Sequence, residues 1–194
     1  RKRIRDIPAM IVSVLPRSAR FFLFSWLFAP LTVFPAPPLH ADEINVILIG
    51  GQSNATGQGY VNNIPPCFKT DKRILLYYSG SLKGTGPAEQ LVPLSPASES
   101  PDRFGVELSL GTALQKKFRK KRAIIKHARS GSNLFRQWNP GKTSQDKQGE
   151  EYVKLIRTVR NGMEALKKTE HAPVLKAMVW QQGEGDARDI AGIK

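Results

Sequence analysis

The stretch that most constrains this chain runs from Val46 to Gly59 and reads VILIGGQSNATGQG. Its first four residues are all apolar, which is typical of a strand that is covered on both faces in a parallel sheet. Two glycines then permit a tight turn that residues with a Cβ atom resist. The polar residues Gln52, Ser53 and Asn54 therefore follow the carboxyl end of the strand, where open α/β sheets bind their ligands.

Ser53 is a candidate nucleophile, because amide side chains and backbone N–H groups surround it at this strand end. The alternative is a polar loop whose serine merely caps a helix. This stretch alone leaves both interpretations open.

Three further strands and two helices are predicted from the periodicity of apolar residues. The strands are 73–78, 123–128 and 174–180, and the helices run from Phe104 to about Lys120 and from Tyr152 to Lys168. The segment 80–102 is rich in glycine and proline and is predicted to be a long loop. Because strands alternate with helices, we expect an α/β fold with a parallel sheet. Three of the four strands end in polar clusters that contain glycine, and these clusters should meet at one edge of the sheet.

The later clusters contain groups suited to ester cleavage, which needs donors for an oxyanion as well as a nucleophile. The backbone N–H of Gly131 is a suitable donor, because a residue without Cβ lets a carbonyl approach closely. The side-chain amide of Gln182 can donate without changing its protonation state. The N–H of Ser53 itself would be a third donor.

The formal net charge of +14 does not by itself indicate a nucleic-acid-binding protein. Six of the 30 basic residues and one of the 16 acidic residues precede Asp42, which leaves a net charge of +9 in the remainder. The run KKFRKKR at 116–122 lies at the end of a predicted helix, where cations are favourable. No aromatic interleaving or zinc-finger spacing accompanies it, so we expect no nucleic-acid partner. Cys67 is the single cysteine and offers neither an internal disulfide nor a metal cluster, and we expect no metal or cofactor.

Residues 1–41 have the pattern of a secretory signal peptide. Arg17 and Arg20 precede the apolar run 21–34, and the small residue Ala41 precedes Asp42. An uncleaved anchor is the alternative, although the run is interrupted by Pro30 and is short of the ~20 residues of a bilayer span. We expect cleavage after Ala41, export to the periplasm or medium, and no stable membrane association afterwards.

Four successive blocks, GGQSNATGQG, FGVELSLGTAL, IIKHARSGSNL and WQQGEGDA, together resemble the SGNH-hydrolase superfamily. The branch they most resemble is the sialate O-acetylesterase-like domain, shared with carbohydrate esterase family 6 acetylxylan esterases. The resemblance covers about residues 44–187. It implies a flavodoxin-like three-layer α/β/α fold and metal-independent deacetylation of an acetylated carbohydrate.

Carried over by position, the resemblance makes Ser53 the nucleophile and Gly131 and Gln182 the oxyanion contributors. Further residues of the blocks are implied in substrate binding or in support of the site: Gln52, Asn54, Glu107, Glu184 and Asp186. Glu184 and Asp186 are expected to structure their loop rather than to act as acid or base. Two positions depart from the family pattern, Val106 where proline is common and Ser130 where glycine is common.

The late Asp-x-x-His block that supplies the family's base has no counterpart in this sequence. His127 falls inside a predicted strand and is interpreted as a core or face histidine, and His171 is interpreted as a surface residue. We therefore expect residues 42–194 to be an esterase domain that is incomplete at its C-terminus, lacks its last strand and helix, and has little activity. The alternative is a non-catalytic carbohydrate-binding domain on the same fold, with Trp138, Tyr60 and Trp180 stacking on sugars.

Overall fold

The computed structural model describes residues 41–80, 88–143 and 145–191, so the predicted signal peptide lies outside the described residues except for Ala41. All four predicted strands and both predicted helices are present, but the first helix begins at Val106 and not at Phe104, which lies in a short strand. In chain order the elements are β1 (Asp42–Gly51), α1 (Ser53–Thr56), β2 (Gly59–Tyr60), β3 (Leu75–Tyr78), β4 (Leu91–Pro93), β5 (Arg103–Phe104), α2 (Val106–Phe118), β6 (Arg122–Ala128), α3 (Glu150–Lys167), β7 (His171–Gln181) and α4 (Glu184–Ala191). A 3-10 turn at Val61–Asn63 follows β2.

The main sheet has the strand order β4-β3-β6-β1-β7, and β3, β6, β1 and β7 are mutually parallel. The expectation that 80–102 is entirely loop is wrong in part, because β4 lies within it and pairs antiparallel with β3. β2 and β5 form a separate two-residue ladder. Strands of two or three residues, one of them ending at a proline, are too short to produce the period-2 pattern on which the prediction depends.

Helices cover both faces of the parallel strands, which confirms the three-layer α/β/α prediction. On one face Ile49 and Ile124 pack in a buried cluster with Leu108 of α2. On the other face Leu48 and Ile125 pack in a second cluster with Leu166 of α3. Neighbouring residues on one strand thus belong to different cores, as the alternation of side chains along a strand requires. Burial on both faces explains the uninterrupted apolar run in β1.

The loops after the parallel strands meet at one edge of the sheet, as predicted. Gly51 is in register with Ala128 on β6 and with Gln181 on β7. The backbone N–H of Gln52 donates to the Gln181 carbonyl at 2.8 Å. A Cβ on Gly51 would lie 1.9 Å from that carbonyl oxygen, and its φ of +132° also favours glycine. The glycine therefore lets β1 and β7 approach closely where the polar clusters begin.

The described residues contain neither a helix suited to a bilayer nor a cluster of metal-binding side chains. None of the helices there is long and apolar enough to cross a bilayer. No group of three or more histidine, cysteine, aspartate or glutamate side chains there could hold a metal ion.

Candidate active site

Ser53 is the first residue of α1, a single helical turn that begins directly after the carboxyl end of β1. Its carbonyl accepts hydrogen bonds from Gly57 N–H at 3.0 Å and from the Thr56 hydroxyl at 2.8 Å. Gln58 Nε2 donates to the same carbonyl at 3.2 Å. These three bonds fix the backbone of Ser53, so its position is set by the turn and not by its own side chain.

The Ser53 hydroxyl makes no hydrogen bond within the part of the chain that the structure describes. The cap position of α1 is Gln52, and no side chain caps the helix. The interpretation of Ser53 as a helix cap is therefore wrong. A half-buried serine whose backbone is fixed and whose hydroxyl is not engaged can face a ligand.

Glu184, the first residue of α4, is bound by two side-chain amides from the Ser53 loop. Gln52 Nε2 donates to its Oε2, and Asn54 Nδ2 donates to its Oε1 at 2.6 Å. Gln52 Oε1 in turn accepts the backbone N–H of Gly185 at 3.2 Å. The structure thus brings together three predicted site residues, and their bonds tie the loop after β1 to the start of α4.

A cavity of about 450 Å³ opens beside Ser53 and is lined by Gln52, Ser53, Gly131, Glu184 and Gly185. Gly131 has a φ of +72°, which favours glycine, and a Cβ there would meet no atom within 4 Å. The predicted nucleophile, Ser53, and one predicted oxyanion contributor, Gly131, therefore line one cavity.

Gln182 and Asp186 are bonded to the loop after β6 and do not line this cavity. Gln182 Nε2 donates to the Ser132 carbonyl at 2.9 Å, and the residue lines a neighbouring cavity of about 490 Å³. Asp186 accepts the N–H groups of Leu134 at 2.8 Å and Phe135 at 3.3 Å. Asp186 thus structures its loop as expected, whereas the oxyanion role of Gln182 stays a prediction.

Glu107 lies beneath the site, where it forms a fully buried ion pair with Lys126 of β6 at 2.6 Å. Lys126 Nζ also donates to the carbonyls of Thr56 at 2.9 Å and Ala97 at 2.6 Å. Burial lowers the pKa of Lys126, and the negative charge of Glu107 opposes that shift. Glu107 therefore supports the Ser53 turn through Lys126 and does not reach the cavity.

Sequence reasoning did not single out Lys126. A lysine within the apolar strand sequence AIIKHA is the signal that could have revealed it, because a buried charge requires a partner. Thr56 was also missed; its hydroxyl lies 3.2 Å from that of Ser130 and links the loops after β1 and β6.

Neither histidine in the described residues reaches Ser53. His127 is buried in β6, as predicted, and its ring nitrogens contact Ser79 at 2.7 Å and Glu151 at 3.0 Å. His171 is the first residue of β7, at the opposite end of the strand from Gln182, and bonds Thr169 at 2.9 Å. His40 lies outside the described residues.

The aromatic residues of the binding-domain alternative do not form a stacking platform. Trp138 is only 4% exposed, donates its Nε1–H to Ser132 Oγ at 2.7 Å and packs edge-on against Trp180 at 4.9 Å. Trp138 is therefore part of the interior. Tyr60 is exposed but stacks against the Arg103 guanidinium, 4.3 Å from its ring centroid.

Comparisons with known proteins concern both the family and the fold. A family model described as "Carbohydrate esterase, sialic acid-specific acetylesterase" matches residues 43–192. A solved structure of an Arabidopsis thaliana protein has 16% sequence identity to this chain and a TM-score of 0.51. The match covers 74% of this chain and 59% of the Arabidopsis chain. A structure described as a novel carbohydrate acetylesterase from Xanthomonas citri is also 16% identical, with a TM-score of 0.36, covering 73% of this chain and 33% of that one. The search of curated proteins gives no match.

Proposed function

The chain belongs to the carbohydrate esterase family of sialic acid-specific acetylesterases, and we propose that it is a carbohydrate O-acetylesterase with Ser53 as its nucleophile. The family match confirms the resemblance seen in the motifs. The observation that carries the proposal is the Ser53 turn: a fixed serine with an unengaged hydroxyl, facing a cavity it shares with Gly131.

In the proposed reaction Ser53 Oγ attacks the carbonyl carbon of an acetyl ester while a base accepts the hydroxyl proton. The carbonyl oxygen becomes an oxyanion that the N–H groups of Ser53 and Gly131 stabilise. The sugar oxygen takes up a proton and leaves, and water then hydrolyses acetyl-Ser53 to acetate and free enzyme. Gln182 is the third proposed donor, and its amide would have to release the Ser132 carbonyl to act in this way.

Glu184 has a positioning role in this proposal. Its carboxylate accepts hydrogen bonds from the side-chain amides of Gln52 and Asn54. It holds the loop of Ser53 against α4 and keeps the cavity open.

We propose that none of the three histidines of this chain is the base, since His127 and His171 are bonded elsewhere and His40 belongs to the predicted signal peptide. The chain as given should therefore hydrolyse esters slowly through Ser53, because the members of a catalytic triad act as a unit.

The experiment measures acetate release from an acetylated monosaccharide and hydrolysis of 4-nitrophenyl acetate, with and without added imidazole. With imidazole, the native chain should hydrolyse the ester faster than imidazole does without protein. Ser53→Ala should abolish this excess rate. Ser109→Ala is the matched control, since Ser109 is an exposed serine on α2 that bonds only its own helix, to the Val106 carbonyl at 3.3 Å. Fast, Ser53-dependent turnover without imidazole would contradict the proposal that the chain lacks the base for Ser53. An equal imidazole-dependent excess in native protein and in Ser53→Ala would refute Ser53 as the nucleophile.

We also propose that the protein is exported, from the charge and hydropathy pattern of residues 1–41. Expression in a bacterial host followed by N-terminal sequencing of the periplasmic fraction tests this. A mature chain that begins at Asp42 is expected, and retention of all the protein in the cytoplasm would contradict the proposal.

A further inference from the structure

A second serine, histidine and carboxylate are joined by hydrogen bonds at the carboxyl end of β3. The Ser79 hydroxyl lies 2.7 Å from Nδ1 of His127, and Nε2 of His127 lies 3.0 Å from Oε2 of Glu151. The order nucleophile, imidazole, carboxylate is the order that activates a serine in unrelated hydrolases. None of these three residues lines the Ser53 cavity.

Three separate elements hold these residues in place. Ser79 follows β3 directly, and its N–H donates to the Lys126 carbonyl of β6 at 3.0 Å. His127 is the next residue on β6, and Glu151 is the second residue of α3. The imidazole is also packed against the ring of Trp138, with 5.5 Å between the ring centroids. The imidazole is therefore fixed from two sides and cannot easily rotate away from Ser79.

The environment of Glu151 determines which ring nitrogen carries the proton. Burial raises the pKa of Glu151, but hydrogen bonds from His127 and Lys154 outweigh burial and lower this pKa to about 2. An ionised carboxylate accepts only, so Nε2 of His127 is the nitrogen that donates. Nδ1 of a neutral ring is then an acceptor that faces the O–H of Ser79, as a general base must.

Ser79 faces a cavity with a positive lining. The cavity has a volume of about 540 Å³ and includes three cations and two carboxylates: Arg129, Lys154, Arg157, Glu99 and Glu151. Lys154 pairs with Glu151 at 2.9 Å and Arg129 pairs with Glu99 at 3.3 Å. The ion pair of Arg157 is with Glu89, which is not part of the lining, so the lining has one positive charge in excess.

We propose that Ser79 is a second nucleophile of this chain, acting with His127 and Glu151 on a small ester that carries a negative charge. Ser79 Oγ attacks the ester carbonyl carbon as its proton passes to Nδ1 of His127. The alkoxide leaves with that proton, and a water molecule then hydrolyses the acyl group from Ser79. The neighbouring cations stabilise the oxyanion and attract the anionic group of the substrate.

The test is labelling with a fluorophosphonate, which reacts with activated serines, in the full chain carrying Ser53→Ala. Digestion and mass spectrometry identify the labelled peptide. Label is expected on Ser79, with Ser109 unlabelled as the matched serine. Ser79→Ala should abolish it, and His127→Gln should slow it by about a hundredfold or more, the usual contribution of a general base.

Glu151→Gln is the milder variant, since it keeps the size of the side chain and an acceptor for Nε2. It should slow labelling less than His127→Gln does, and circular dichroism and thermal melting establish that each variant is folded. A folded Ser53→Ala protein that takes up no label at Ser79 overturns the proposal. Labelling at an unchanged rate in folded His127→Gln also overturns it, because Ser79 would then react without the imidazole.

The charge of the substrate is tested with two activated esters in the same Ser53→Ala background. 4-Nitrophenyl hydrogen succinate is anionic and 4-nitrophenyl acetate is neutral. The anionic ester should have the higher kcat/KM, and Arg157→Gln should reduce that preference. An equal or reversed preference refutes the substrate class. Because these measurements concern Ser79 alone, their failure leaves the proposal for Ser53 unaffected.

Discussion

The Lys126–Glu107 ion pair allows a quantitative prediction, because both side chains are 0% exposed. Lys126→Met keeps a long unbranched side chain but removes the positive charge. The Glu107 carboxylate then loses its counter-ion, while the Gly105 N–H still donates to its Oε1 at 2.8 Å. The carbonyls of Thr56 and Ala97 lose their donor as well.

Loss of one partner of a buried ion pair costs about 3–5 kcal/mol, because the other charge is left uncompensated. With a urea m-value of about 2 kcal/mol/M, a loss of about 4 kcal/mol moves the unfolding midpoint down by about 2 M. Glu107→Gln should cost a similar free energy, since Lys126 then lacks its counter-ion. The double variant removes both charges, so it should lose less than the sum of the two single variants, by about 0.5–3 kcal/mol.

The measurement is urea unfolding of the four proteins, followed by circular dichroism. Strictly additive losses of unfolding free energy would show that the two side chains are not coupled. A midpoint shift below about 0.5 M for Lys126→Met would refute the predicted cost of leaving Glu107 without its counter-ion. Because Lys126 binds the last carbonyl of α1, Lys126→Met should also lose the imidazole-supported ester hydrolysis that depends on Ser53 in the folded protein. Misplacement of a reacting group by about 1 Å can cost a hundredfold in rate.

Three further predictions concern acid stability, backbone strain and the site. The folded pKa of Glu151, about 2, lies below its ordinary value of 4.5, so its stabilisation is complete above pH 4.5 and is lost as the pH falls towards 2. The native chain should therefore lose about 3 kcal/mol of unfolding free energy over this pH range, and Glu151→Gln should lack that loss. Urea unfolding at several pH values measures it, and parallel stability curves for the two proteins would contradict the prediction. Gly131→Ala should cost about 1–2 kcal/mol in calorimetry, since its Cβ enters open space and only the left-handed φ is strained. Gly51→Ala should cost more than about 4 kcal/mol because its Cβ would overlap a backbone carbonyl; similar losses for the two would refute the steric argument. Glu184→Gln weakens the hydrogen bonds from Gln52 and Asn54. It should lower kcat/KM of the imidazole-supported hydrolysis by Ser53 about tenfold if about 1.4 kcal/mol of positioning is lost, and an unchanged kcat/KM would refute the positioning role of Glu184.

The sequence predicted the parts of the fold that follow from hydrophobic patterning. Apolar runs located the four parallel strands, and the polar clusters that follow three of them were correctly expected at one edge. Patterning could not reveal β4, which is three residues long and ends at Pro93. It also could not give the side-chain contacts at the edge: Ser53 and Gly131 share a cavity, while Gln182 is turned towards the Ser132 carbonyl.

The buried polar contacts lay beyond sequence reasoning for a more specific reason. Glu107 and Glu151 are each the second residue of a helix, and an acidic residue there is ordinarily read as a favourable charge for the helix dipole. In the structure each has a basic side chain facing it from β6. Lys126 and His127 are consecutive, so they point to opposite faces of the sheet, the first towards α2 and the second towards α3.

One strand thus supports two different serines from its two faces. On the α2 side, Lys126 couples Glu107 to the turn that carries Ser53. On the α3 side, His127 couples Glu151 to Ser79. A lysine can only donate in its charged form, whereas a neutral imidazole donates at one nitrogen and accepts at the other. Two consecutive residues of β6 therefore provide a structural support on one face of the sheet and a proton acceptor on the other. Exchange of Lys126 and His127 would remove both.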